Sequence, residues 1–140
     1  MKDQSYNFSL IKEIKGSSMF LDVASGIAKI YLVDVVDHET VIDIIQSLHI
    51  ELERGRCNKI ILNEEDLDSY AEGTRDWMKD FLLENRDKFS FRISAVARVT
   101  HDVIRANFFT NYIKTAVQVI FPGIRLSNFE SEDAALEWLT

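Results

Sequence analysis

The sequence predicts an α/β fold: a mostly parallel sheet of about five strands, begun by an amino-terminal β-hairpin and covered by about four helices. Three observations carry that expectation. β-branched and apolar residues flank Ser25-Gly26, a good tight-turn pair, on both sides. Beyond Asp34, short apolar strands alternate with segments whose apolar residues recur at helical spacing. Strands joined through helices run in the same direction, because each crossover returns the chain to the edge it started from.

Met1 to Gly16 mixes Phe8, Leu10, Ile11 and Ile14 with Lys12, Glu13 and Lys15, a mixture that fits either a short strand or a loose arm. The hairpin follows, from Met19 to Ala24 and from Ile27 to Val33. Val41, Ile42, Ile44, Ile45, Leu48 and Leu52 then mark an amphipathic helix, with Asp37 to cap its amino end and Gly55 to close its carboxyl end. Lys59-Ile60-Ile61-Leu62 reads as a short buried strand. Ser69 and Glu72 form a Ser-x-x-Glu capping box ahead of a helix whose apolar face is Trp77, Met78, Phe81 and Leu82 and which ends near Asn85 to Lys88. Phe91 to Val99 is the next strand, and after Thr100 a helix carries Val103, Ile104, Phe108, Phe109, Tyr112 and Ile113 on its apolar side. Past Phe121-Pro122-Gly123 come a strand from Ile124 to Leu126 and a last helix from Glu132 to Leu139. Ser131 can cap that helix, with Glu132 and Asp133 near its positive end. Ala135, Leu136, Trp138 and Leu139 supply its contacts to the sheet.

No Gly/Ser-rich linker, repeat or low-complexity stretch interrupts the chain, so residues 1–140 read as one domain, with 1–17 a loose arm or an extra strand. A chain of 140 residues with 46% hydrophobic composition can bury a core without staples. Cys57 is the single cysteine, which rules out an internal disulfide and any multi-cysteine metal site. The net charge of −7 disfavours nonspecific nucleic-acid binding, since no surplus of Lys and Arg stands ready to displace counterions. No apolar run approaches a membrane span, and Met1-Lys2-Asp3-Gln4-Ser5 lacks the apolar stretch of a signal peptide; a cytoplasmic location is the expectation.

Chemistry-bearing residues gather at the carboxyl ends of the strands, where open α/β sheets bind ligands. Glu64, Glu65, Asp66 and Asp68 follow one strand, and Asp34 and Asp37 follow its neighbour. Their spacing lacks the Asp-x-Asp-x-Asp-Gly order of a calcium loop, and the ordinary reading is a solvated acidic loop. His38, His49 and His101 show no metal-ligand spacing, although His38 and His101 could meet at that edge. Neither a metal nor any other cofactor is expected. Arg92 and Arg98 alternate onto one face of their strand, where they serve as salt-bridge partners or, with Arg98 and His101 near the strand end, as an anion site. Cys57 lies among Arg54, Arg56 and Lys59, whose charges would lower a thiol pKa, while a free cysteine entering a buried strand is ordinarily inert. No Gly-x-Ser-x-Gly elbow, phosphate-binding Gly-rich loop or dinucleotide fingerprint is present, so an enzyme is not expected.

The run Ile124-Arg125-Leu126-Ser127-Asn128-Phe129-Glu130-Ser131-Glu132-Asp133-Ala134-Ala135-Leu136-Glu137-Trp138-Leu139 resembles the strand, acidic helix cap and Ala-x-x-Trp-Leu ending of SpoIIAA-like STAS proteins. The resemblance extends from about Met19 onward. It implies a fold shared with anti-sigma-factor antagonists and, more loosely, with CRAL-TRIO lipid-binding domains. It also implies a role for Asp68-Ser69: STAS antagonists carry an Asp-Ser-x-Gly turn whose Ser is a phosphorylation switch, and here Ala71 stands in the Gly position. Phosphate on Ser69 would meet repulsion from Asp66, Asp68 and Glu72.

Two functions follow as expectations. The first is a regulatory or protein-interaction module that presents Asp68, Ser69, Tyr70 and Thr74 to a protein partner. The second is a carrier or sensor of a small apolar or lipid-like ligand at the edge marked by Asp34, Asp37, His38, Arg98 and His101, suggested by the CRAL-TRIO likeness and by nine Phe residues. A homodimer would follow if Phe108, Phe109 and Tyr112 form an exposed face.

Overall fold

The computed structural model describes residues 6–89 and 92–140, with the side chains at 89, 109, 110, 112–117 and 120 outside the description. The elements run β1 (Ser9–Ile14), β2 (Ser17–Asp22), β3 (Ile27–Val36), α1 (His38–Glu53), β4 (Lys59–Tyr70), α2 (Thr74–Glu84), α3 (Arg86–Phe89), β5 (Ala95–Val99), α4 (Val103–Ile120), β6 (Arg125–Phe129) and α5 (Glu132–Leu139). Among the described residues the strands form one six-stranded sheet whose spatial order is the chain order, β1 to β6. The β1–β2 and β2–β3 pairs are antiparallel, and every pair from β3 to β6 is parallel.

The sheet has one strand more than expected because Ser9–Ile14 pairs with β2. Lys15 and Gly16 make the two-residue turn, both at positive φ (51° and 85°), the geometry whose twist matches a hairpin. A Cβ on Gly16 would come within 3.0 Å of Val33 Cγ2, so the position demands glycine for space as well as for conformation. Asp37 caps α1 as expected, accepting from the Thr40 N–H at 2.9 Å. Ser131 caps α5, accepting from the Ala134 N–H at 3.2 Å. The capping box at Ser69 does not form: β4 continues through Tyr70, and α2 starts after Gly73, which offers no side-chain cap. Strand pairing with β3 holds those backbone amides and takes precedence over the local cap. β5 begins at Ala95, which removes Arg92 from the strand; Phe91 lies outside the described residues. On α4, Ile104 and Phe108 are 85% and 79% exposed rather than turned to the core, while the side chains of Phe109, Tyr112 and Ile113 lie outside the description. No helix among the described residues is long and apolar enough to cross a membrane.

Alternation gives the parallel part of the sheet two distinct faces. Ala28, Ile30, Leu32, Ile60, Leu62, Val96 and Leu126 point to a front face, where they cluster with Val41, Ile44 and Leu48 of α1 and with Trp77, Met78, Phe81 and Leu82 of α2. Ile27, Ile61, Ala95, Ala97 and Val99 point to the back, against Ala135 and Leu139 of α5. Three small alanines let α5 approach closely, and all five sheet residues are fully buried. Polar contacts bind α5 as well: Glu132 accepts from Asn63 at 2.8 Å and pairs with Lys29 at 3.4 Å. Trp138 of α5 packs on Phe129, with ring centroids 5.4 Å apart, and the Arg125 guanidinium lies 4.9 Å from its ring.

Candidate functional site

The site is built by an irregularity in β4. The β3–β4 register shifts twice, between Tyr31 and Val33 and again between Asp34 and Val35, each time adding a residue on β4. The Asn63 side chain steadies the first bulge by accepting from the Glu65 N–H at 2.9 Å, and Asp34 takes a positive φ of 56° at the second. Front-facing positions on β4 therefore run Leu62, Glu64, Leu67, Tyr70. A flat strand would carry Tyr70 about 20 Å beyond Glu64 at roughly 3.3 Å per residue. The bulged strand instead lets the Tyr70 hydroxyl reach back and donate to Glu64 Oε2 at 2.7 Å.

Glu64 is buried at 6% exposure, and the Arg98 Nε of β5 donates to its other carboxylate oxygen. Both oxygens of a buried carboxylate are thus occupied, one by a cation and one by a phenol, as burial of a charge requires. Burial and the adjacent Glu64 charge push the Tyr70 phenol up from its ordinary pKa, so it remains a protonated donor. The Arg75 guanidinium covers the other side, 5.2 Å from the Tyr70 ring.

This Glu64–Arg98–Tyr70 frame separates two cavities and lines part of each. Outside it, at the carboxyl ends of β4 and β5, is a polar cleft of about 660 Å³ walled by Asp68, Ser69, Arg75, Asp102 and Arg105 among others. Inside it, between the front of the sheet and helices α1 and α2, is an apolar cavity of about 350 Å³ whose lining includes Leu32, Leu62, Val96, Leu48, Met78 and Phe121. Tyr70 and Arg98 line both, but Glu64 lines only the cleft. This apolar cavity is partly open to solvent rather than sealed. Water there would find few polar partners.

The sequence-derived candidates separate. Tyr70 and Arg98 meet through Glu64, and Asp68 and Ser69 are exposed on the cleft wall, at the end of β4 rather than at a helix start. Thr74, in contrast, is fully buried, its hydroxyl sharing a 3.0 Å hydrogen bond with His38 Nδ1, so it presents nothing to a partner. His38 is held there, with its ring 5.4 Å from Trp77, and His101 is exposed beyond β5. Asp37 is used as a helix cap and by Lys15, whose ammonium donates to it at 2.7 Å. That ammonium, with the Thr40 N–H and hydroxyl, holds the Asp37 carboxyl well below the usual carboxylate range. Asp34 is exposed and shapes the backbone. Arg92 leaves the strand face and donates to the Lys88 carbonyl at 2.7 Å. Burial pushes the Cys57 thiol up to about 11, reinforced by the Glu51 carboxylate and only partly offset by Arg56, which overturns the idea that its cationic neighbours activate it. Among the described residues, no three His, Cys, Asp or Glu side chains gather to hold a metal ion. Sequence reasoning placed Glu64 in a solvated acidic loop; its even position after Ile60 and Leu62, matching Arg98 on the next strand, is the signal that could have found it.

No protein-family model and no curated protein sequence matches the chain. Solved structures do. An uncharacterized protein of the DUF3478 family with a SpoIIAA-like fold, from Shewanella loihica PV-4, aligns over 100% of this chain and 99% of its own, with a TM-score of 0.56 and 15% identity. The anti-sigma factor antagonist SpoIIAA in its unphosphorylated form aligns over 95% of this chain and 97% of its own, with a TM-score of 0.54 and 14% identity. With a hairpin leading into three parallel crossovers and an acidic-capped last helix on the back of the sheet, the chain has the SpoIIAA-like, or STAS, fold.

Proposed function

We propose that the protein is a non-enzymatic regulatory or interaction module of the STAS type, which acts by presenting the rim of the polar cleft to a protein partner. The observation that carries this reading is the exposed Asp68-Ser69 pair held next to Tyr70, whose position is fixed from beneath by Glu64 and Arg98. A rim anchored by a buried ion pair offers a fixed shape and so a lower ordering cost on association. The SpoIIAA likeness supports the same reading, since that structural neighbour is an anti-sigma factor antagonist. Affinity capture from a native lysate tests it: a partner held by the unaltered chain should be lost on Ser69→Glu and weakened on Asp68→Ala. Capture indifferent to both substitutions would move the interaction surface away from the cleft.

The apolar cavity behind Tyr70 favours a second reading, a carrier or sensor of a small apolar ligand. Its volume of about 350 Å³ falls within the range of small-molecule sites. Native mass spectrometry of the purified protein against its denatured mass tests this directly, with a released compound expected near one per chain.

A further inference from the structure

We propose that the apolar cavity and the inner end of the polar cleft form one site for a single-chain amphiphile with a monocarboxylate head, the chain lying between the sheet and helices α1 and α2 and the carboxylate on Arg98. The proposal rests on the ligand-carrier reading and specifies its ligand. Among the described residues, two side chains line both compartments, Tyr70 and Arg98, so a molecule that runs from one to the other meets a phenol and a guanidinium.

The chemistry of the head follows from what those two groups have left to offer. The Tyr70 hydroxyl is committed to Glu64. Arg98 spends its Nε on the same carboxylate, which leaves the two terminal nitrogens of the guanidinium as donors at the junction. A guanidinium has no acceptor, so the head must accept hydrogen bonds, and a carboxylate matches its fork best. The rim limits the charge of that head. Asp68, Glu72, Asp76 and Asp102 line the outer cleft against Arg75 and Arg105, a net acidic margin that opposes a dianionic phosphate monoester more strongly than a monoanion. The chain is specified by the inner wall, where Leu32, Leu62, Val96, Leu48 and Met78 offer no hydrogen-bonding side chain and polar side chains stand only toward the β4–β6 ends, at Tyr70, Arg98, Ser127 and Asn128 among the described residues. A hydrocarbon tail there fills space that water would occupy with few partners.

Isothermal titration calorimetry of the full chain with decanoate, decan-1-ol and decylamine tests the assignment without altering the protein. Decanoate is expected to bind at one per chain and about tenfold more tightly than decan-1-ol, the usual gain from hydrogen bonds to a charged group. Val96→Phe, which fills the cavity, should weaken both by about tenfold or more. In Glu64→Gln/Arg98→Gln, which keeps the buried pair neutral and hydrogen-bonded, the preference for decanoate should shrink to about twofold or less. Decan-1-ol binding as tightly as decanoate, or decylamine binding more tightly, would overturn the assignment of the head to Arg98 while leaving the ligand-carrier reading intact. Binding of none of the three would overturn both. Undiminished decanoate binding by Val96→Phe would place the tail elsewhere and overturn the proposed site.

Discussion

The two faces of the parallel sheet are built from the same strands yet serve different ends. On β5, Ala95, Ala97 and Val99 lie fully buried under α5, while Val96 and Arg98, their immediate neighbours in sequence, face the cavity and the cleft. Small side chains behind allow close helix–sheet contact, and the polar links from Glu132 to Asn63 and Lys29 pin that contact in place. In front, large apolar side chains hold α1 and α2 away from the sheet around an open volume. The lesson is that a rigid face and a receptive face can be written into one strand by alternating residues, because successive side chains never share a side.

The comparison can be broken most severely at the ion pair that closes the front. Arg98→Ala leaves the Glu64 carboxylate buried without its cation and should cost about 3 kcal/mol in urea unfolding, most of it recovered in Glu64→Gln/Arg98→Ala. A cost near zero would mean that Glu64 is solvated and that the frame does not close the cavity. Next in size is the back face, where Ala97→Leu must push α5 outward and should destabilise by about 2 kcal/mol. Its neighbour sharpens the contrast: Val96→Phe, pointing into open space, should leave stability unchanged or raise it by about 1 kcal/mol. Equal losses at both positions would erase the difference between the faces. A subtler effect belongs to Tyr70→Phe, which removes one hydrogen bond to a charged acceptor and should cost about 1.5 kcal/mol by the same measurement.

The smallest effect is one of pH and belongs to Cys57, buried in the front-face cluster just before β4. Its thiol titrates at about 11 in the folded chain against an ordinary value of 9.0. A raised thiol pKa contributes stability that is complete below the unfolded value and is lost as pH rises toward the folded one, so this contribution declines from pH 9.0 to about 11. Labelling by a thiol-specific disulfide reagent at neutral pH should be slow in the native protein and fast in urea. Fast native labelling would show that the site is open.

Much of the fold was legible because its signals are local. The helical spacing from Val41 to Leu52 and the Asp37 and Ser131 caps describe neighbours in the chain and stand where the sequence put them, and the hairpin turn at Ser25-Gly26 forms within a four-residue connection, because the strand before it ends at Asp22 rather than Ala24. The site was legible only in pieces. Tyr70 and Arg98 were recognised as candidates separately, but Glu64, which unites them, looked like one more acid in a charged run. Thr74 looked presentable because nothing in its local sequence announces His38, which precedes it by 36 positions.

The sequence by itself determined the order of the main strands and helices, the parallel crossovers and the amino-terminal caps of the first and last helices, since periodicity and capping act over a few positions. Only the tertiary structure decided that β4 runs on through two bulges to Tyr70, that Glu64 is buried, that Ser69 belongs to a strand, and that the front of the sheet lines a partly open apolar cavity. Those outcomes depend on register with β3 and on side chains from distant elements, and the free energy of a buried charge or an unfilled volume is set by neighbours that only the folded chain brings together.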